Sequence, residues 1–382
     1  MRRLQRSVLL FQGNLVSIMD NTNFHNLTIS AVRPETDSSI SVTFEVPEEL
    51  KETFTFKQGQ FLTLKAQIDN EEVRRSYSIC SGVHDGHMRV GIKRVNGGRF
   101  SNFANDNFKP GFEVEVMPPQ GNFYTELDSG NSKNYMFIAA GSGITPILSN
   151  IKTILHEEPL SRVTLLYGNL RSNSVMFMDE LGFIKNRYMS RFQWINIMDN
   201  EDQGADLLNG IIDNKKGAAL YKSRLIDIKN TDEAFICGPQ AMMSEVSRGF
   251  RSMGFDDSRI HYELFTSSSD DSKVALEKYT QRIADYGEKK TSDVTVISGG
   301  RAINFDLATV GENILDAGMH NGLDLPYACK AGVCSTCKAR LVEGEVDMDI
   351  NHALEESEVK AGYILTCQSH PISDKVIVDF DQ

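Results

Sequence analysis

The sequence predicts three domains of different class: an antiparallel β-barrel, a doubly wound α/β domain and a small α+β domain. The length of 382 residues exceeds what a single domain usually contains. Closely spaced strands give way near residue 130 to strands that alternate with helices. Residues 293–382 are rich in cysteine and far more acidic than the rest of the chain. These changes of pattern place the domain boundaries.

The first domain shows short apolar runs separated by turn-forming residues. Each run has the length of a strand and is bounded by Gly, Pro, Asp or Asn. Short strands with regular turn signals are typical of a small barrel or sandwich. We predict strands at residues 26–32, 39–46, 60–66, 76–80 and 88–94.

The second domain alternates strands with helices, which is the pattern of a parallel, doubly wound sheet. Its first strand is short and of the buried type, and a glycine-rich turn follows it directly. The predicted strands are 135–140, 162–167, 192–198 and 234–237, and the predicted helices are 147–155, 176–186 and 240–253.

Residues 267–292 are polar and lack a strong apolar face, so we predict an interdomain linker with one or two helical turns at most. The last domain, residues 293–382, mixes strands with a single helix. We predict strands at 294–298, 302–306 and 376–379 and a helix at 314–321.

The charge of the chain excludes some functions. A formal net charge of −12 argues against nucleic acid as a partner, because phosphate binding needs a basic face. No run of about 18 apolar residues is present, so we predict no membrane partner. Residues 293–382 contain 15 acidic and 6 basic side chains, whereas the first 292 residues contain 37 and 34. This acidity suits either docking to a basic protein surface or simple solubility.

The N-terminus does not resemble a secretory signal. Residues 1–18 begin with arginines, but their apolar stretch, Val8 to Phe11, is too short for a signal core. We therefore treat residues 1–21 as an extension, with Met19 as an alternative start. The reducing cytoplasm is the expected location, where clustered cysteines bind metal or perform redox chemistry.

Four of the six cysteines form the most specific motif in the chain. Cys329, Cys334 and Cys337 are spaced C-x4-C-x2-C, and Cys367 follows after 29 intervening residues. This is the plant-type spacing in which four thiolates hold a [2Fe–2S] cluster. Small residues within the loop allow its backbone N–H groups to approach the cluster sulfurs. A structural zinc site with four cysteine ligands is the alternative.

Two glycine-rich turns are candidates for phosphate binding. Gly97 and Gly98 end a predicted strand and are followed by Ser101, although a plain β-hairpin turn would also explain them. Gly141, Gly143 and Thr145 lie between a buried strand and a helix, where phosphate binds to a helix N-terminus.

Two further segments are candidates for ligand binding because of their order along the chain. Arg75-Ser76-Tyr77-Ser78 lies on a predicted strand about 20 residues before the first glycine turn. Cys237 and Gly238 end a predicted parallel strand, at the edge where ligands of open α/β sheets bind. Taken alone, the first segment is most often a plain alternation of polar and apolar residues on a strand. A lone buried cysteine such as Cys237 is usually an inert core residue.

These signals, in this order, resemble the ferredoxin-NADP reductase superfamily with a C-terminal plant-type ferredoxin domain of β-grasp fold. The stretches RRSYSIC, GNFYTELD, CKAGVCSTCKARLVEGEV and ALEESEVKAGYILTCQ are most similar to the reductases of phenylacetyl-CoA 1,2-epoxidases. Reductases of ring-hydroxylating and steroid hydroxylases share much of the motif set. The resemblance implies an FAD-binding barrel at 22–126, an NAD(P)-binding domain at 131–266, a linker at 267–292 and a ferredoxin domain at 293–382.

The resemblance assigns flavin roles to residues of the barrel. It implies that Arg75 pairs with flavin phosphate, that Tyr77 stacks against the isoalloxazine and that the Ser78 hydroxyl approaches ring atom N5. The Gly97-Gly98-x-x-Ser101 segment looks like the pyrophosphate loop of FAD-binding members. FAD is therefore expected rather than FMN.

The resemblance also implies roles around the nicotinamide. Gly141, Gly143 and Thr145 should hold the pyrophosphate of the dinucleotide, and Cys237 with Gly238 should lie where the nicotinamide enters. Ser78 and Cys237 are thus the candidate catalytic residues. Phe265 is similar to the aromatic residue that covers the other face of the flavin.

The implied function is an NAD(P)H-dependent oxidoreductase that passes electrons through FAD and a [2Fe–2S] cluster to an oxygenase component. The resemblance favours a phenylacetyl-CoA 1,2-epoxidase, and the alternative is a Rieske-type ring-hydroxylating or steroid hydroxylase. A remote alternative is a zinc-stapled nucleotide sensor without turnover.

The nucleotide preference follows from residues after the strand at 192–198. Members that use NADPH commonly place Ser or Thr followed by Arg there, whereas this chain has Asp199, Asn200 and Glu201. A carboxylate near the adenosine ribose suits a free 2′-hydroxyl and repels a 2′-phosphate. We therefore predict that NADH is preferred to NADPH.

Overall fold

The computed structural model describes residues 23–265, 269–287 and 290–382, so the predicted extension over residues 1–21 lies outside the described residues. Contacts between residues divide the chain into two compact units. One unit is His25–Leu264, and the other contains Phe265–Gln382.

The first half of the His25–Leu264 unit is an antiparallel barrel of six strands in the order β4-β3-β6-β1-β2-β5. A bridge between Ile79 and Val90 joins the two edge strands and closes the sheet. Inward-facing aliphatic and aromatic residues fill the interior. The strands are β1 (His25–Thr36), β2 (Ser39–Glu45), β3 (Phe61–Ile68), β4 (Glu71–Ser78), β5 (Met88–Lys93) and β6 (Glu113–Gln120).

Two elements of the barrel were absent from the sequence prediction. Strand β6 contains Pro118 and Pro119 just before its last residue, and prolines are unusual inside a sheet and hide the strand pattern. Helix α1 (Arg99–Asn107) is rich in Asn, which is a weak helix former. It forms because Phe100 and Ala104, four residues apart, are buried against the barrel core.

The second half of this unit is a parallel sheet in the order β11-β10-β7-β8-β9. Side chains of β7 alternate between two apolar cores, one on each face of the sheet, as expected when helices cover both faces. The strands are β7 (Asn134–Ala140), β8 (Arg162–Asn169), β9 (Phe192–Met198), β10 (Glu233–Cys237) and β11 (Ile260–Glu263), and the helices are α2 (Ile144–Glu157), α3 (Met178–Arg187), α4 (Asn214–Lys222) and α5 (Gln240–Ser252).

The Phe265–Gln382 unit begins with helix α6 (Ser269–Tyr286), which spans 18 residues. The expectation of one or two helical turns in this segment is wrong. The segment does lack a strong apolar face, as its composition indicates. Ion pairs to the following domain hold the helix instead, and hydrophobic periodicity does not detect such contacts.

The remainder of this unit is α+β, as predicted. A five-stranded sheet has the order β13-β12-β18-β14-β16, and β15 pairs with β17. Helix α7 (Ile314–His320) packs its buried side chains against the sheet core. The other elements are β12 (Thr291–Ser298), β13 (Arg301–Ala308), β14 (Lys338–Glu343), β15 (Val346–Met348), α8 (Glu356–Lys360), β16 (Tyr363–Leu365), β17 (Ser369–Pro371) and β18 (Lys375–Asp379).

A helix that spans a membrane must be both long and apolar. Among the described residues, no helix combines the length and the apolar character needed to cross a bilayer.

Candidate functional site

The first group of candidate residues lies at the end of β4. Arg75 is exposed, and its guanidinium donates to the carbonyl oxygen of Arg74 at 2.7 Å. The Tyr77 ring is partly buried and lies 5.7 Å, centroid to centroid, from Phe100. Burial raises the pKa of the Tyr77 phenol, so the ring is neutral at physiological pH. A cation and a neutral aromatic ring two residues apart on one strand face suit a ligand that carries both phosphate and a planar ring system.

The second group forms the turn between β5 and α1. Gly97 has a φ of +71°, which favours glycine. A Cβ on Gly98 would lie 2.6 Å from the Ser101 hydroxyl oxygen, which accepts a hydrogen bond from the backbone N–H of Val95. The turn leads into a helix, so the alternative of a β-hairpin is wrong. The N-terminal N–H groups of α1 make this turn suited to an anionic ligand.

The third group connects β7 to α2. Gly141 has a φ of +54°, and its carbonyl accepts a hydrogen bond from the Tyr167 hydroxyl at 2.9 Å. A Cβ on Gly143 would lie only 2.1 Å from the carbonyl oxygen of Cys237, so no larger residue fits there. Thr145 is buried in the first turn of α2. This arrangement leaves a helix N-terminus at the carboxyl edge of the sheet.

A crevice lies at this edge of the sheet, and strand β10 forms its other side. Cys237 is its last residue and is fully buried. A Cβ on Gly238 would lie 3.1 Å from the Cβ of Ala140, at the end of β7. The chain leaves β7 and β10 toward opposite sides of the sheet, so this is the topological switch point at which doubly wound folds bind ligands.

The structure brings Ser78 and Cys237 together through a residue that the sequence analysis missed. Glu263, the last residue of β11, is the register partner of Cys237 in the sheet. Its carboxylate accepts a hydrogen bond from the Ser78 hydroxyl at 3.3 Å. Barrel and parallel sheet therefore meet at these three side chains. An acidic residue at the carboxyl end of a short strand was the available signal, but the strand itself had not been predicted.

Electrostatics keep this meeting point neutral. Loss of solvent raises the pKa of Glu263 to about 8, and the hydrogen bond from Ser78 acts in the opposite direction. Burial and the nearby Glu263 raise the pKa of Cys237 well above its usual value. Near pH 7 the site therefore contains a thiol, a hydroxyl and a largely protonated carboxyl group.

Three further predicted residues are exposed. Phe265 is 39% exposed and belongs to the other compact unit, so its placement over a flavin stays a prediction. Asp199 and Asn200 follow β9 and are exposed. Their backbone N–H groups donate to carbonyl oxygens of the residues that end and follow β8, at 2.9 and 2.8 Å.

The four cysteines of the C-terminal unit occur as two pairs. Cys329 and Cys334 are within hydrogen-bonding reach of each other, and Cys337 and Cys367 form the second pair. Among the described residues, no three of these sulfur atoms lie within 4.8 Å of one another. A tetrahedral zinc ion would bring all four to about 3.8 Å, given Zn–S bonds of about 2.3 Å. Two pairs suit two metal ions, each with two cysteine ligands.

The loop that carries three of these cysteines is shaped around them. Lys330, Gly332 and Ser335 all have positive φ values, of 53°, 72° and 53°. The backbone N–H of Ala331 donates to the Cys329 sulfur at 3.3 Å. Hydrogen bonds from the Cys334 thiol and from backbone N–H groups lower the pKa of Cys329 to about 6. The loop therefore favours a thiolate at Cys329, the form in which a cysteine binds a [2Fe–2S] cluster.

Family models match the same three regions. Residues 27–124 match the oxidoreductase FAD-binding domain, residues 137–248 the oxidoreductase NAD-binding domain and residues 299–371 the 2Fe-2S iron-sulfur cluster binding domain. Fold and site thus define an NAD(P)H-dependent flavin and iron–sulfur oxidoreductase. FAD, a [2Fe–2S] cluster and a pyridine nucleotide are confirmed as the predicted cofactors, and the alternative of a zinc-stapled sensor is wrong.

Similar proteins place the chain more narrowly. It is 43% identical to one of the subunits that form the 1,2-phenylacetyl-CoA epoxidase of Escherichia coli (strain K12), over 94% of this chain and 98% of the relative. It is 33% identical to the ferredoxin reductase component of 3-ketosteroid-9-alpha-monooxygenase from Rhodococcus rhodochrous, over 93% and 96% of the two chains. The chain belongs to the ferredoxin-NADP reductase superfamily, in the family of oxygenase reductase components with a C-terminal 2Fe-2S domain.

A solved structure agrees on the fold. Phthalate dioxygenase reductase matches with a TM-score of 0.56 and 23% sequence identity, over 93% of this chain and 98% of that one. The predicted multidomain architecture of flavin barrel, nucleotide-binding sheet and ferredoxin domain is confirmed.

Metal content tests the paired arrangement of the cysteines. We expect about two irons and two inorganic sulfides per chain in the intact protein, because each cysteine pair binds one iron of the cluster. Replacement Cys337→Ser should remove the ligand that the second pair needs and lower the iron content. Iron and acid-labile sulfide assays measure both effects. Stoichiometric zinc without sulfide would contradict the assignment.

The raised pKa of Glu263 predicts a pH-dependent stability. The folded protein keeps this proton up to about pH 8, whereas the unfolded chain releases it near the ordinary pKa of 4.5. The stability of the wild type relative to Glu263→Gln should therefore fall as pH rises from about 4.5 to about 8, and then level off.

Thermal unfolding across this pH range, followed for the FAD-loaded wild type and variant, measures the difference. Replacement of the exposed Glu277 by Gln is the matched control and should follow the wild type at every pH. Parallel curves for Glu263→Gln and the wild type would show that Glu263 is ionised in the folded protein.

Proposed function

We propose that this chain is the reductase component of a phenylacetyl-CoA 1,2-epoxidase and delivers electrons from NADH to its oxygenase component. The observation that carries the proposal is the 43% identity to a component of the Escherichia coli epoxidase, which extends over nearly the full length of both chains. The same match covers the flavin, nucleotide and cluster regions in one alignment.

The domain assignment is part of this proposal. FAD binding is assigned to residues 22–126 and nucleotide binding to residues 131–266, in keeping with the family matches at 27–124 and 137–248. Cluster binding is assigned to residues 293–382, which include the match at 299–371. Residues 267–292, the predicted linker, lie between the nucleotide and cluster assignments in the sequence.

The barrel residues bind and orient the flavin. Arg75 pairs with its phosphate, Tyr77 stacks on its ring system, and the turn at Gly97, Gly98 and Ser101 receives the pyrophosphate through backbone N–H groups. FAD and the [2Fe–2S] cluster, when bound, supply the conversion of a two-electron donor into single electrons.

The residues at the switch point act on the nicotinamide. Gly141, Gly143 and Thr145 bind the dinucleotide pyrophosphate at the start of α2. Hydride transfer requires the reacting atoms to approach to about 3–3.5 Å. Cys237 and Ser78 limit the space in which the nicotinamide can lie, and Glu263 fixes the orientation of the Ser78 hydroxyl through its hydrogen bond. Phe265 is proposed to cover the flavin from the other side.

The cytoplasm is the proposed location. All six thiols are free, and four of them are the proposed cluster ligands. Such thiols persist in a reducing compartment and would be oxidised outside it.

NADH is the proposed electron donor. Glu201 is already engaged, since its carboxylate accepts hydrogen bonds from the backbone N–H and the hydroxyl of Ser172 at 2.8 Å. These bonds lower the pKa of Glu201, and the Arg171 guanidinium adds to the effect. Asp199 is exposed at the same edge of the sheet and is the carboxylate available to an adenosine ribose.

A double replacement tests the nucleotide preference. We expect wild-type kcat/KM to be at least about tenfold higher with NADH than with NADPH, because Asp199 repels a 2′-phosphate. Asp199→Ser combined with Asn200→Arg should shift the ratio toward NADPH, mostly through KM. Steady-state reduction of ferricyanide gives both constants. A wild-type preference for NADPH would refute the assignment and would direct attention to Arg171.

Reconstitution with a purified oxygenase component tests the partner. Epoxidation consumes one NADH, one proton and one O₂, places one oxygen atom in the product and releases the other as water. We expect NADH oxidation and epoxide formation in equal amounts when the chain is mixed with a phenylacetyl-CoA epoxidase oxygenase. The terminal oxygenase of a 3-ketosteroid 9α-hydroxylase serves as the comparison.

Each outcome of the reconstitution has a distinct meaning. Turnover with the steroid oxygenase alone would favour the second candidate, which the 33% identity to its reductase supports. Ferricyanide reduction without turnover of either oxygenase would refute the partner but not the reductase activity. If the acidic C-terminal domain guides docking, coupled turnover should fall steeply with added salt while ferricyanide reduction is unchanged.

A further inference from the structure

Helix α6 is attached to the cluster domain through charged side chains on one face. Asp271, Lys278 and Arg282 lie at spacings that place them together on that face. Arg282 donates to Asp347 at 2.7 Å and to Asp349 at 2.5 Å. Lys278 also pairs with Asp347, at 3.1 Å. Both carboxylates belong to the short segment that contains β15.

The N-terminal end of α6 contacts the same segment at its other end. His352 Nε2 lies 3.0 Å from the Asp271 carboxylate. Residues 347–352 are therefore held by α6 at both ends, over three turns of helix.

This segment lies between the two parts of the cluster site. The backbone N–H of Asp349 donates to the carbonyl oxygen of Gln368 at 2.8 Å, next to the ligand Cys367. The backbone N–H of His352 donates to Gly332 at 3.0 Å, inside the loop that carries the other three ligands. A Cβ on Gly332 would lie 2.7 Å from the carbonyl oxygen of Ile350, so the loop and the segment are in close contact.

Arg282 carries a buried positive charge in this arrangement. Its side chain is 3% exposed, and Asp349 also lies 3.2 Å from His370 Nε2. The large apolar residues Leu276 and Tyr279 of α6 do not make this attachment, since they are 65% and 41% exposed. Loss of the guanidinium would remove the one cation that contacts both carboxylates, and would leave Asp347 with Lys278 and Asp349 with His370. Removing one partner from such a partly buried group of charges is strongly unfavourable.

We propose that Arg282 is a positioning residue for the [2Fe–2S] cluster, and that α6 is a structural part of the cluster domain rather than a linker. Arg282 acts by holding residues 347–352, which in turn hold the backbone on both sides of the cluster. The domain boundary then lies ahead of α6, in agreement with the division between Leu264 and Phe265. The proposal rests on the cluster site and is independent of the oxygenase partner.

Replacement of Arg282 in the full-length, cofactor-loaded protein tests this role. Arg282→Ala should release iron to a chelator roughly tenfold faster or more, and should change the EPR spectrum of the reduced cluster. Arg282→Lys keeps the positive charge but lacks the planar guanidinium that contacts both carboxylates, so it should release iron at an intermediate rate. Reduction of ferricyanide by NADH should keep its wild-type rate, because it reports the flavin in the other unit.

Two further variants keep the test decisive. Gln281→Ala changes the neighbouring exposed position of the same helix and should match the wild type in release rate and EPR spectrum. If Arg282→Ala does not accumulate as a folded protein, Asp347→Asn removes one of the two carboxylates that Arg282 contacts, and iron release should again be faster. Wild-type iron release and EPR spectra in Arg282→Ala, or in both Arg282→Lys and Asp347→Asn, would overturn the proposal.

Discussion

The close approach of two chain turns at the carboxyl edge of the parallel sheet is the constraint on which the nucleotide site depends. Gly143 lies against the carbonyl oxygen of Cys237, and Gly238 lies against Ala140, at distances that exclude a Cβ in one case and compress it in the other. A crevice is left beyond these turns, with a helix N-terminus on one side. The dinucleotide pyrophosphate and the nicotinamide can therefore bind at one edge of the sheet.

Helix α2 transmits this constraint to the barrel. Three buried polar side chains on this helix bond to barrel-side backbone: Ser149 donates to Ser81, Asn150 donates to Phe123, and Thr153 accepts from Val83. A buried hydrogen bond contributes about 1 kcal/mol to stability, and a buried polar group without a partner costs more. These bonds therefore make the contact between α2 and the barrel specific as well as stable. The helix that is proposed to receive the nucleotide phosphate thus also fixes the position of Ser78 relative to Cys237 and Glu263. Hydride transfer depends on that fixed relation, because it requires near contact of the reacting atoms.

Much of this organisation could be predicted from spacing. The cysteine motif, the glycine turns and the alternation of strands with helices follow from covalent geometry and backbone conformation, which local sequence encodes directly. Glu263 was missed because its role comes from the register of β11 beside β10, a contact between segments far apart in sequence. Helix α6 was underestimated for a related reason. Its stabilising partners are the carboxylates Asp347 and Asp349. Hydrophobic periodicity does not reveal an ion pair between two residues, such as Arg282 and Asp347, that are 65 positions apart in sequence.

The two compact units divide the chemistry according to what each step requires. The residues proposed to bind flavin and nicotinamide lie largely in the His25–Leu264 unit, where buried hydrogen bonds hold the parallel sheet and the barrel together. Single electrons do not require the donor and acceptor atoms to be in contact, so the cluster can be carried by a separate unit. That unit then needs internal rigidity around its four cysteines, and the paired sulfurs, the left-handed loop residues and the charged attachment of α6 provide it. The strong acidity of residues 293–382 suits recognition by charge, while the proposed nicotinamide site in the His25–Leu264 unit contains neutral side chains.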